Sequence, residues 1–210
     1  DDSLTINTYR TDNGQAIDDS FTIKKTDEST LPFTDVQKSD WFYNAVEYTY
    51  QNKLFAGLNA TTFAPNMSMS RAMLVQVLYN MAGQPEVAGT SSFHDVGNAW
   101  YKNAVIWASQ NGLVFGTSKN TFSPERDVTR EQTAIILQRY MKMIGKDTSA
   151  SADLSQYPDA ASVSPWAQDA MQWAVGSGLI GGVKNGNTVT LSPQASSTRA
   201  QIAQMLTNGL

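Results

Sequence analysis

Trp100-Tyr101-Lys102-Asn103-Ala104-Val105-Ile106-Trp107-Ala108-Ser109-Gln110-Asn111-Gly112-Leu113 is the stretch that decides the fold. Trp100, Ala104, Trp107 and Ala108 recur at helical spacing, and Gly112 stands where a helix stops on a left-handed residue. The same pattern returns at Trp166, Ala170, Trp173, Ala174 and Gly178. It returns again at Trp41, Ala45 and Tyr48, with Lys53 in the glycine position. Every tryptophan of the chain occupies one of two repeat positions. The first-position tryptophans lie 59 and then 66 residues apart. A pattern recurring at this interval marks a repeat architecture, in which no unit buries its apolar face alone.

Outward from this helix the register holds. Gly57, Gly116 and Gly182 stand sixteen residues past the first tryptophan. Then come Phe63-Ala64-Pro65, Phe122-Ser123-Pro124 and Leu191-Ser192-Pro193. Six residues past each proline stands an arginine: Arg71, Arg130 and Arg199. Each repeat opens with an aromatic-x-Asp: Phe33-Thr34-Asp35, Phe93-His94-Asp95 and Tyr157-Pro158-Asp159. The linker around Gly145–Gln156 absorbs most of the longer second interval, and repeat three has extra residues between Gly182 and Leu191.

The pattern predicts two helices per repeat. The first is expected to begin at the N-cap types Ser39, Asn98 and Ser164, with Pro165 at the first helical position. The second is expected at Ser70, Thr129 and Thr198, with Gln132 and Gln201 completing capping boxes that Met73 cannot complete. The fold class is therefore mainly α: three helix–loop–helix repeats over 33–90, 91–150 and 151–210. Residues 1–32 differ. Leu4–Thr8 and Ser20–Lys24 alternate like short strands around Asp12-Asn13-Gly14, giving a β-like N-terminal arm or the tail of an upstream domain. Two strands are marginal alone, so they are expected to lean on the helical body or on a neighbour.

Composition excludes several functions. The 210 residues are 41% apolar and 16% charged, with net charge −4. That is too apolar for disorder and too acidic for a broad nucleic-acid face. Without cysteine there are no disulfides, thiolate nucleophiles or zinc ribbons. No apolar run is long enough to span a membrane. A chain opening on Asp1 is expected to lack a signal peptide or to have lost it. The single histidine, His94, reads as a loop residue. Asp18-Asp19, Asp27-Glu28 and Glu125-Asp127 could supply carboxylate pairs for glycoside cleavage, but none repeats or sits in a motif. The expectation is a non-catalytic protein with no cofactor and no metal.

The ordered set resembles S-layer homology domains. Phe33-Thr34-Asp35-Val36, Asn111-Gly112-Leu113, Phe122-Ser123-Pro124 and Thr198-Arg199-Ala200 carry the resemblance, which runs from about Phe33 to Leu210. It implies a pseudo-threefold, three-pronged helical spindle on an exported bacterial protein. It implies non-covalent anchoring to the cell wall through an anionic secondary cell-wall polysaccharide, often pyruvylated, held in grooves between repeats. The alternative is a protein–protein role, with self-association in a surface lattice. The glutamate usual in the motif is replaced by Met73, Gln132 and Gln201, and Glu131 stands where alanine is usual, so the grooves are not expected to be equivalent.

Candidate ligand-binding residues follow. Arg71, Arg130 and Arg199 oppose the helix dipole, and a guanidinium beside free helix N–H groups would make an anion site. Each could instead pair with Asp35, Asp95 or Asp159. Trp41, Trp100 and Trp166 could stack on a sugar or pack at a helix start. Tyr48, Trp107 and Trp173 read as core. Gly57, Gly116 and Gly182 read first as turn glycines, and secondarily as groove walls. The aspartates read as caps, bridges or ligand contacts.

Overall fold

The computed structural model describes residues 3–12, 15–24 and 31–209. Residues 1–32 and 33–210 separate into two compact units. The first is an antiparallel pair, β1 (Ser3–Asp12) and β2 (Gln15–Lys24), in the register Thr5↔Thr22 and Ile6↔Phe21. The strands are longer than the alternation indicated, and Asn13-Gly14 lies outside the described residues.

The second unit is helical: α1 (Tyr43–Gln51), α2 (Arg71–Met81), α3 (Lys102–Gln110), α4 (Arg130–Met143), α5 (Gln168–Gly176) and α6 (Arg199–Gly209). A small hairpin, β3 (Val183–Asn185) with β4 (Thr188–Thr190), fills the longer loop of repeat three.

The second helices start where their caps say. Ser70 Oγ accepts from the Met73 N–H. Thr129 and Gln132 exchange both bonds of a capping box, as do Thr198 and Gln201. The first helices start about three residues later than the N-cap pattern predicts. Phe42, Tyr101 and Ala167 stand at the N-cap positions, and none makes a side-chain cap. The segment before each helix is a tight turn, closed for example by Lys102 N–H to Ala99 O, and in repeat three by a 3₁₀ turn at Pro165–Ala167. The first-position tryptophans ride on these turns. They are therefore not part of the buried stripe, which begins at Phe42, Tyr101 and Ala167 and continues through Ala45, Ala104 and Ala170.

Helix stops match the pattern. Gly112 and Gly178 are left-handed (φ 66° and 72°), and Lys53 adopts the same conformation at φ 58° despite its side chain.

Packing is cyclic. The first helix of each repeat lies on the second helix of the preceding one: α3 on α2, α5 on α4, α1 on α6. At the centre three backbone bonds, each 2.9 Å, close a triangle: Met69 N–H to Ser197 O, Ser197 N–H to Val128 O, and Val128 N–H to Met69 O. Phe63, Phe122 and Leu191 are fully buried beneath the turns. Trp107 and Trp173 are core, but Tyr48 is 39% exposed. Trp107 packs between Tyr79 and Tyr140. The register offers Tyr48 only Thr207 and Met81 at those places.

Candidate functional site: three inter-repeat grooves

Each repeat opens on an aspartate that organises its own proline corner. Asp35 accepts the N–H groups of Phe63 and Ala64 at 2.8 and 2.7 Å. Asp95 does the same for Phe122 and Ser123, and Asp159 for Leu191 and Ser192. Ala64, Ser123 and Ser192 are left-handed immediately before a proline, a combination sterics disfavour. The carboxylate fixes it by collecting two adjacent N–H groups. Partial burial raises the Asp95 carboxyl, but these N–H groups and His94 outweigh it and hold the group below the ordinary carboxylate range.

The carbonyl of the same corner accepts the motif arginine of the preceding repeat. Arg71 donates from Nε to Phe122 O and from Nη2 to Phe115 O, both 2.9 Å. Arg130 reaches Leu191 O (2.8 Å) and Gly181 O (2.7 Å). Arg199 reaches Phe63 O (2.7 Å) and Ala56 O (2.6 Å). The arginines are thus staples between repeats, held by carbonyls rather than by the aspartates. Burial lowers all three pKa values, that of Arg199 to about 10, so they stay charged at neutral pH. Among the described residues each Nη1 has no hydrogen-bond partner.

The helix N–H groups are not free, contrary to the sequence expectation. Arg71 N–H and Ala72 N–H donate to Arg126 O and Pro124 O. The same positions in α4 donate to Ala195 O and Pro193 O, and those in α6 to Met67 O and Pro65 O. Neighbouring proline corners satisfy the donors that a helix end leaves open. Any anion here answers to side chains.

Among the described residues, two grooves hold an arginine and a tryptophan together. One, of about 380 Å³, is lined by Arg71 of repeat one, by Phe115, Gly116, Gln132 and Arg139 of repeat two, and by Trp166 of repeat three. The other, of about 680 Å³, is lined by Arg130 of repeat two, by Gly181, Gly182, Gln201 and Asn208 of repeat three, and by Trp41 of repeat one. Each groove draws on all three repeats. A third hollow of about 570 Å³ lies beside Trp100, with Gln76, Glu86 and Asn103 and no arginine among its lining residues. Trp41, Trp100 and Trp166 are 64%, 62% and 54% exposed, so they are wall residues and not core.

The glycines serve close approach. A Cβ on Gly57 would sit 2.5 Å from the Asn59 carbonyl oxygen and from the Phe33 ring. On Gly116 it would strike the Ser118 carbonyl, and on Gly182 the Val189 side chain.

Sequence reasoning missed Arg126, Arg139 and Phe115. None repeats, and a search for repeated positions passes over what distinguishes one repeat. Arg139 stacks on Phe115 with its guanidinium carbon 4.7 Å from the ring centroid. Glu131, noted as a departure, is 1% exposed and accepts from the Ser164 N–H and hydroxyl (both 2.9 Å) and from Gln194 Nε2 (2.8 Å).

A family model described as the S-layer homology domain matches residues 32–72, 92–134 and 156–203. The chain belongs to that family, and its place is the bacterial cell surface. It is 31% identical over 178 residues, 85% of its length, to an endoglucanase of Bacillus sp. (strain KSM-635), of which the match covers 18%. It is 34% identical over 142 residues, 67% of its length, to the surface-layer 125 kDa protein of Lysinibacillus sphaericus, of which the match covers 12%. A cellulosome-anchoring protein of Acetivibrio thermocellus is 26% identical over 54% of the chain and 27% of that protein. The chain therefore spans less than a third of the length of these relatives. The family is one of binding domains, and the enzyme name of the first relative describes a protein that lies mostly outside the match.

Proposed function

We propose that the chain anchors an exported protein to the bacterial cell wall by binding an anionic secondary cell-wall polysaccharide in its inter-repeat grooves. The carrying observation is the pairing, in two grooves, of an exposed tryptophan with a nearly buried arginine from another repeat. An indole face left open to water offers a sugar ring an apolar platform, and the arginine Nη1 answers an acidic substituent such as a pyruvyl ketal. Gln132 and Gln201 offer amides to hydroxyls. The cyclic packing supports a three-pronged spindle, and several weak grooves on one body supply avidity along a polymer.

The test is retention on purified wall polymer, native and depyruvylated. Because the arginines staple the fold, the informative variants are Trp166→Ala and Trp41→Ala, whose side chains are mostly solvent-exposed. Each is expected to weaken retention at an unchanged melting temperature. Retention by the double variant equal to that of the parent would overturn the proposal. Failure of the parent to bind polymer, together with concentration-dependent assembly, would favour the lattice role.

A further inference from the structure

The two arginine grooves differ in a way that names their ligands. The Arg71 groove carries Arg126 and Arg139 as well, and no carboxylate lines it. At the corresponding positions the Arg130 groove has Ala195 and Asn208, and its second cation is the exposed Lys184 of the β3–β4 hairpin. Three guanidiniums thus share about 380 Å³, against one guanidinium and one ammonium in about 680 Å³. Arg71 spends Nε and Nη2 on carbonyls, so it offers a ligand one edge. Arg139 is oriented by its stack on Phe115 and a 3.3 Å bond to Leu113 O. Arg126 is exposed, and its guanidinium makes no hydrogen bond or ion pair with a described residue. Like charges crowded together repel: after burial itself, Arg126 lowers the Arg71 pKa, and Asp95 opposes the shift without cancelling it. A monoanion would leave most of this charge uncompensated.

We propose that the Arg71 groove is a site for a doubly negative group on a sugar, of the phosphate-monoester type, and that Arg126 and Arg139 set that preference. The proposal rests on the grooves being glycan sites. Trp166 forms the opposite wall, two residues past the Ser164 that Glu131 pins, so the stacking platform is held against the cationic helix. Neither sister groove has that clasp, because Ala72 and Ala200 occupy the position of Glu131.

The test follows the tryptophan indole N–H resonances of the full chain during titration with two pyranose probes at pH 7.5. Glucose 6-phosphate is a dianion there, because its second ionisation lies at about pH 6, and glucuronate is a monoanion. Trp166→Phe and Trp41→Phe assign the two groove signals. The Trp166 signal is expected to saturate at about tenfold lower glucose 6-phosphate than glucuronate, the worth of one more charge-assisted contact. Arg126→Ala and Arg139→Asn, the residues of the sister groove, should each erase most of that preference. The Trp41 titration should stay as it was. Arg126→Ala lies on an exposed side chain, so it decides the matter if Arg139→Asn unfolds. Equal titration of Trp166 by the two probes, or a preference unchanged in Arg126→Ala, overturns the proposal. Normal polymer retention with equal probe titration sinks only this inference. A dianion preference without polymer retention sinks only the anchoring function.

Discussion

The Arg71 and Arg130 grooves are built on the same frame and finished differently. In both, an arginine crosses to the next repeat and holds two carbonyls, and in both a tryptophan from the third repeat forms the far wall. What differs is what the repeat does not dictate: Arg126, Arg139 and Phe115 on one side, a β3–β4 hairpin with Lys184 on the other. The shared arginines hold the ring together, while the shared tryptophans and the unshared residues line the clefts. Repetition therefore reports the common frame, and departures from the repeat report what distinguishes one cleft from the other.

The largest expected effect tests the shared half. Arg71→Ala and Arg130→Ala should each destabilise the fold by about 3 kcal/mol, because one buried and one part-buried carbonyl lose a charged donor. Equal losses in urea titrations would confirm a common staple. A loss confined to one arginine would break the comparison.

Next come the aspartates. Asp95→Asn should cost about 2 kcal/mol, since one of two N–H groups on a strained corner goes unpaired. The Asp95 carboxyl is held below its ordinary value, so its contribution is full above about pH 3.9 and is lost as pH falls through the lower folded value. Thermal melts of the parent should fall over that acid range, and those of Asp95→Asn should fall less.

The unshared half is tested by Glu131→Ala, expected to cost about 1.5 kcal/mol. It should speed amide exchange at Ser164 and loosen Trp166 while leaving Trp41 unchanged. If both tryptophans loosen alike, the clasp is not local to one groove. The smallest effect concerns the helix stops. Lys53→Gly should raise stability by about 1 kcal/mol, because glycine takes the left-handed conformation without penalty. No gain in the melt would mean that the Lys53 side chain contributes packing that offsets its backbone cost.

Much of the fold was legible because it is written three times. Capping residues at Thr129 and Thr198 announce their helices by local hydrogen bonds, and local bonds are visible in sequence. The first helices misled, because Ser39, Asn98 and Ser164 look like caps while the chain spends three more residues in a turn. That turn carries the tryptophans out of the core, and helical spacing alone could not show it. The site was half legible. The arginines, tryptophans, aspartates and glycines were flagged by recurrence, but their partners were not.

The sequence by itself determined the number of repeats, their helices, the glycine stops and the family, because each depends on residues near one another in the chain. Tertiary structure alone decided that Arg71 answers Phe122, that Trp166 faces Arg71, and that the helix N–H groups are closed by a neighbour's proline corner. Those pairings follow from ring closure, which joins α1 to α6 and places side chains from all three repeats around one groove. No local pattern encodes which repeat will stand opposite which.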